Sequence, residues 1–158
     1  MKKRAWMTVA ICGMVFGLLA APAEAGEEKG SGTVTYAPAA VDTVQLADGS
    51  MVQRSHIMGI VLANDPSNSI HLASQDCFGT TVIAADGTAI ANGYCDAVDA
   101  DGDRWWISWH NGPDANTWAF TGGTGKYQGI KGGGTTTPLA QMADGRTAII
   151  WNGSWTMK

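Results

Sequence analysis

The chain has 158 residues, 45% of them apolar and 15% charged, with a formal net charge of -4. That is one domain's worth of chain. It carries too many aliphatic residues for a disordered segment and no basic surplus of the kind nucleic acid demands, and its 21 glycines lack the every-third-residue period of collagen.

Lys2, Lys3 and Arg4 open the chain, an uncharged apolar run follows from Ala5 to Ala20, and Ala21-Pro22-Ala23-Glu24-Ala25 comes next. A positive start, an apolar stretch and small residues at the -3 and -1 positions are the layout of a secretory signal peptide, cleaved here after Ala25. The run falls short of the roughly 20 residues needed to span a bilayer. The expected organisation is therefore a signal helix over 1–25, a flexible N-terminus over 26–31 and one domain over 32–158. Cleavage leaves seven basic residues against thirteen acidic ones, a net charge of -6. The product is expected in the periplasm or outside the cell, with no membrane span. Cys12 leaves with the signal, and Cys77 and Cys95 remain as a pair in an oxidising compartment.

The tripeptide Ala-Asp-Gly occurs four times after the signal, at 47–49, 85–87, 100–102 and 143–145. Asp-Gly favours a tight hairpin, because glycine accepts positive φ and aspartate bonds to nearby backbone. Between these marks lie runs rich in Val, Ile, Thr and Trp, which read as strands over 32–37, 41–46, 51–63, 77–84, 88–98, 104–110, 117–121, 133–141 and 147–156. Helical periodicity of useful length occurs only in the signal. The fold class is all-β, and closure into a single antiparallel barrel of about eight strands would remove exposed edges. Cys77 and Cys95 stand nine residues either side of Asp86. A three-residue loop 85–87 with Gly87 left-handed sets them opposite one another and predicts a disulfide. In the strand after the third turn, Trp105, Ile107 and Trp109 share one face and Trp106, Ser108 and His110 the other.

Motifs for chemistry are few. The aspartates at 96, 99, 101 and 103 invite a calcium loop, but Arg104 and His110 stand where its glycine and bidentate glutamate belong, so they read as a solvated hairpin tip. The segment Thr121–Thr135 resembles a phosphate loop, yet Phe120, Tyr127 and Gln128 break both nucleotide-binding spacings; its glycines read as a sharp crossing at the barrel end. The glutamates are Glu24, Glu27 and Glu28, which leaves none in the expected folded body. No zinc spacing joins His56, His71 and His110. No metal or other cofactor is expected.

Gly93-Tyr94-Cys95, Asp99–Asp103, Trp109, Trp118, Phe120, Thr121–Tyr127, Gly129 and Gly132–Gly134 together resemble small exported bacterial barrel proteins of unassigned function. The Gly-Gly-Thr-Gly-Lys-Tyr segment is similar to a loop of the allene oxide cyclase and dirigent barrels. The resemblance spans roughly residues 77–155. It implies an eight-stranded, allene oxide cyclase-like barrel with a cavity for an apolar ligand. Allene oxide cyclases use a cavity glutamate, which the barrel region here does not match.

These readings point to an exported, disulfide-clasped barrel without catalytic activity. Its partner is expected to be a small apolar or amphipathic ligand, held by Tyr94, Trp106, Ser108 and His110. Two alternatives stand beside it: an isomerase or cyclase using His110 or Asp96 to handle a proton, and an extracytoplasmic interaction or inhibitor protein with a packed barrel. The oligomeric state is left open.

Overall fold

The computed structural model describes residues 26–158, so the signal helix expected over 1–25 lies outside the described residues. Eight strands follow in order: Gly26–Gln45 (β1), Met51–Ala63 (β2), Ser74–Ile83 (β3), Ala89–Val98 (β4), Arg104–Asn111 (β5), Asn116–Gly123 (β6), Lys131–Gln141 (β7) and Thr147–Met157 (β8). Each pairs antiparallel with its chain neighbours, and β1 pairs with β8 to close the barrel.

Two expectations about the first strand are corrected. Residues 26–31 are not a flexible tail: Gly26–Ser31 pair with Asn152–Met157 of β8. The closing strand would otherwise leave a row of backbone donors and acceptors unpaired. The segments 32–37 and 41–46 are one strand, with a register shift between Pro38 and Ala40, where proline has no N–H to give the ladder. Glu28 thereby enters the folded body. Its Oε1 accepts from the Ser69 backbone N–H (2.8 Å) and its Oε2 from the Trp155 indole N–H (3.2 Å).

All four Ala-Asp-Gly turns adopt one geometry, with φ of +86° at Gly49 and Gly87 and +87° at Gly102 and Gly145, the region only glycine enters freely. In the turns at 48, 86 and 144 the aspartate Oδ1 accepts the backbone N–H two residues on, from Ser50, Thr88 and Arg146. The second turn closes through Ala84 and Thr88, which sets Cys77 opposite Cys95 in the β3–β4 ladder. The two are disulfide-bonded.

Three of these turns, with the loop 112–115, sit at one end of the barrel. The other end carries the remaining turn, 99–103, and two longer connections, 64–73 and 124–130, the latter containing the short 3-10 turn Gly125–Tyr127. That end is closed. Ile70, Ala73 and Tyr127 are buried there, beneath an aromatic cluster in which Trp105, Trp118, Phe120, Trp151 and Trp155 lie with ring centroids 5.3–6.4 Å apart. Edge-on contacts of this kind add to the burial of the rings.

Indoles this large fit inside a narrow barrel only where the facing wall is bare. Gly30 and Gly153 pair across β1 and β8. A Cβ at Gly30 would come within 3.0 Å of the Trp155 ring, and one at Gly153 within 2.5 Å of Trp118. Size-matched alternation of this sort lets the layers interlock without strain.

Candidate functional site

Above the aromatic cluster the barrel is not filled. A cavity of about 540 Å³ occupies it and reaches the end formed by the three tight hairpins. Its floor is the Trp105, Trp118, Phe120 and Trp151 cluster, its walls include Ile57, Ile107, Trp109 and the Cys77–Cys95 disulfide, and its mouth is rimmed by Asn111, Asn116, Gln141 and Thr147. No charged side chain and no histidine lines it among the described residues. Burial of an apolar ligand against such walls gains roughly 25 cal/mol per Å² of surface removed from water.

Trp109 covers part of the wall. Gly79 and Gly93 face each other across β3 and β4, and Gly93 faces Trp109 across β4 and β5. A Cβ at either glycine would stand 2.3 Å from the indole, so the ring lies flat over a bare patch of wall rather than projecting across the cavity.

One polar pair interrupts the apolar wall. The Tyr36 hydroxyl donates to Gln75 Oε1 at 2.7 Å and lies 3.9 Å from Cys77 Sγ. Burial pushes the Tyr36 hydroxyl well above the ordinary tyrosine range, so it stays protonated and remains a donor. Gln75 is 5% exposed.

The ligand residues expected from the sequence lie elsewhere. Tyr94 is 66% exposed and Trp106 37%, Ser108 is half-buried and His110 exposed, and none of the four lines the cavity. His110 Nδ1 and Asn92 Oδ1 are 2.7 Å apart on the outer wall. Asp96 is also on that wall, ion-paired with Arg104. The expectation that these side chains face the interior is corrected. Alternation separates two faces of β5 without saying which points inward, and the bulkier set, Trp105, Ile107 and Trp109, takes the interior because it buries more apolar surface. An acid–base role for His110 or Asp96 on a ligand inside the barrel loses its geometry at the same time.

The remaining histidines are dispersed. His56 stacks on Phe78 with centroids 4.3 Å apart and donates from Nε2 to Asp76 Oδ1 at 2.8 Å. His71 Nδ1 accepts the Ala63 backbone N–H in the closed end. Among the described residues no three His, Cys, Asp or Glu side chains converge to hold a metal.

The acidic hairpin tip is not wholly solvated. Asp99 has only 5% of its side chain exposed and pairs with Lys126 Nζ at 2.7 Å, while Tyr127 Oη lies 3.0 Å from its Oδ2. Its Oδ1 accepts the backbone N–H of Asp101 and of Asp103. Burial opposes ionisation, but the hydrogen bonds from Lys126, Tyr127 and Asp101 outweigh it and hold the carboxyl below the usual range. These residues pin the turn 99–103 to the loop 124–130 and shut that end.

No family model and no curated protein matches the sequence. Solved structures do match. The pterocarpan synthase dirigent protein GePTS1 superposes with a TM-score of 0.55 at 12% identity, covering 93% of this chain and 97% of its own. The pterocarpan synthase dirigent protein PsPTS1 gives a TM-score of 0.52 at 12% identity, covering 82% and 96%. The fold is that of the dirigent barrels. The resemblance drawn from the glycine-rich segment and the barrel expectation agree with it. At this identity the dirigent-type barrel is shared, and the side chains that line the cavity are this chain's own.

Proposed function

We propose that this dirigent-type barrel is an exported, non-catalytic binding protein that takes a neutral, largely apolar small molecule into its cavity. The observation that carries the reading is an open apolar cavity of about 540 Å³ in a barrel whose other end is shut. Small-molecule sites are typically concave, mostly apolar and of roughly 300–1,000 Å³. Among the described residues the lining supplies no carboxylate, imidazole or free thiol, and the Tyr36 phenol is held protonated, which supports binding over proton transfer. The two structural neighbours are named pterocarpan synthase dirigent proteins, a name that connects those proteins with a small molecule. Export to the periplasm or beyond is supported by the signal-like N-terminus and by the disulfide, a bond that persists in oxidising compartments.

Native mass spectrometry of the disulfide-bonded protein from its own host is the test. A retained neutral molecule, or one-to-one uptake from a panel of neutral lipids, isoprenoids and aromatics, is expected. A barrel that is isolated empty and ignores the whole panel overturns the reading.

A second reading, an extracytoplasmic interaction protein, is favoured by the outer wall of β2–β5. There Met58, Ile60, Phe78 and Tyr94 are about half or more exposed, with Trp106 beside them. Scattered apolar residues are ordinary on a surface, whereas a contiguous patch marks a contact site. Concentration-dependent sedimentation that Tyr94→Ser abolishes would support it.

A further inference from the structure

The Gln75 amide is half used. Its Oε1 takes the Tyr36 hydroxyl, while its Nε2 has no hydrogen-bond acceptor among the described residues. The side chain is nine-tenths buried and lines the cavity. That nitrogen carries two N–H donors and, unlike the unpartnered indole nitrogens of the aromatic cluster, is not sealed off from open space. The Tyr36 bond also fixes which end of the amide faces the cavity. The hydroxyl donates to the amide oxygen, so the NH₂ is the end that Tyr36 leaves free.

The buried side-chain polar atoms without a partner among the described residues are Ser69 Oγ and the indole nitrogens of Trp105, Trp118 and Trp151. Ser69 is outside the cavity lining, whereas all three tryptophans belong to it. Those indole nitrogens are sealed from the open space and offer a ligand nothing, and no charged side chain lines the cavity among the described residues. A carboxylate ligand would enter without a cation to meet it, which burial penalises heavily. A hydrocarbon would leave the Gln75 NH₂ unmet.

We infer that Gln75, oriented by Tyr36, is a specificity-determining residue that selects uncharged ligands carrying a hydrogen-bond acceptor, such as a ketone, ester or ether oxygen, deep in the cavity. This rests on the cavity-binding reading above. Gln75 touches the ligand, and Tyr36 acts through Gln75 as a positioning residue.

Three near-isosteric probes separate the two ideas: 2-acetylnaphthalene, 2-isopropenylnaphthalene and 2-naphthoate, titrated calorimetrically into the intact disulfide-bonded protein. The ketone should bind about tenfold more tightly than the hydrocarbon, the worth of one well-placed hydrogen bond, and the carboxylate should bind weakest. Gln75→Leu should remove the ketone's advantage and leave hydrocarbon affinity unchanged or improved. Tyr36→Phe frees the amide to turn, so it should reduce that advantage and raise affinity for 2-naphthylmethanol, a hydrogen-bond donor. Hydrocarbon binding retained by each variant reports that the barrel is still folded. Equal affinities for ketone and hydrocarbon in the wild type, or a preference that survives Gln75→Leu, would overturn the Gln75 assignment while leaving the cavity reading intact. Failure of all the naphthalenes to bind would overturn the cavity reading and the assignment with it.

Discussion

The two ends of the barrel use the same turn and come out differently. At the open end three Ala-Asp-Gly hairpins and the loop 112–115 return the chain at once and leave the interior accessible. At the other end an identical Ala-Asp-Gly hairpin is clasped by Lys126 and Tyr127 through Asp99, while the loop 64–73 tucks Ile70 and Ala73 into the barrel. Turn chemistry therefore sets strand register at both ends, and the length of the neighbouring loops decides which end is shut. The same division separates stability from binding. Aromatic layers fill the closed half, and a cavity occupies the open half.

Trp155→Ala should do the most damage, since it empties a fully buried site in the closed half. About 4 kcal/mol of unfolding free energy is expected to go, measured by urea denaturation of oxidised protein. A loss under about 1 kcal/mol would mean that the closed half is not the stabilising half.

Next comes the double substitution Cys77→Ala with Cys95→Ala in the cavity wall. It should cost about 3 kcal/mol for the loop it frees, and reduction of the wild type should lower its thermal midpoint in the same direction.

Asp99→Asn should loosen the closed end by about 2 kcal/mol at neutral pH, because the buried carboxylate loses its charge-assisted bonds. The pH dependence follows from the sign of the shift. Asp99 titrates lower in the folded state than in the unfolded chain, so its contribution is full above about pH 4, the ordinary aspartate value. It fades as pH falls through the lower folded value. The gap between wild type and Asp99→Asn should therefore narrow below pH 4 in thermal melts, and a constant gap would remove Asp99 from the clasp.

The smallest effect belongs to the open end. Gly87→Ala places a Cβ at φ +86° in otherwise empty surroundings. It should cost about 1 kcal/mol of backbone strain in denaturant unfolding and leave ligand access unaltered.

Much of the fold was legible in the chain because its signals are local. The Asp-Gly turns and their flanking β-branched runs mark the hairpins, and the symmetry of Cys77 and Cys95 about Asp86 fixes one register without any distant contact. Residues 26–31 do not read as a strand because they hold glycine and charge, and only the need of β8 for a closing partner makes them one. The cavity was less legible. Strand alternation divides β5 into two faces, and the polar company of Trp106 drew the ligand site to the outer one. Packing decides otherwise, and the signal that could have shown it was the paired glycines. Gly79 and Gly93 leave room for one large ring, and Trp109 is the residue opposite. Gln75 and Tyr36 carry no motif at all. They meet across Gly59 of β2, which faces Tyr36 on one side and Gln75 on the other, and whose missing side chain leaves room for the Tyr36 ring.

The central claim is that the open half of the barrel admits a ligand, and Thr136 gives the most direct access to it. Its half-buried side chain lines the cavity from β7, opposite Trp151 of β8. Saturable one-to-one binding of 2-acetylnaphthalene is expected in the wild type, followed by quenching of tryptophan fluorescence. Thr136→Trp should weaken it about tenfold or more, because the added indole occupies close-packed space that the ligand needs. A wild type that shows no saturable binding, or a folded Thr136→Trp variant that binds as tightly as the wild type, would contradict the account.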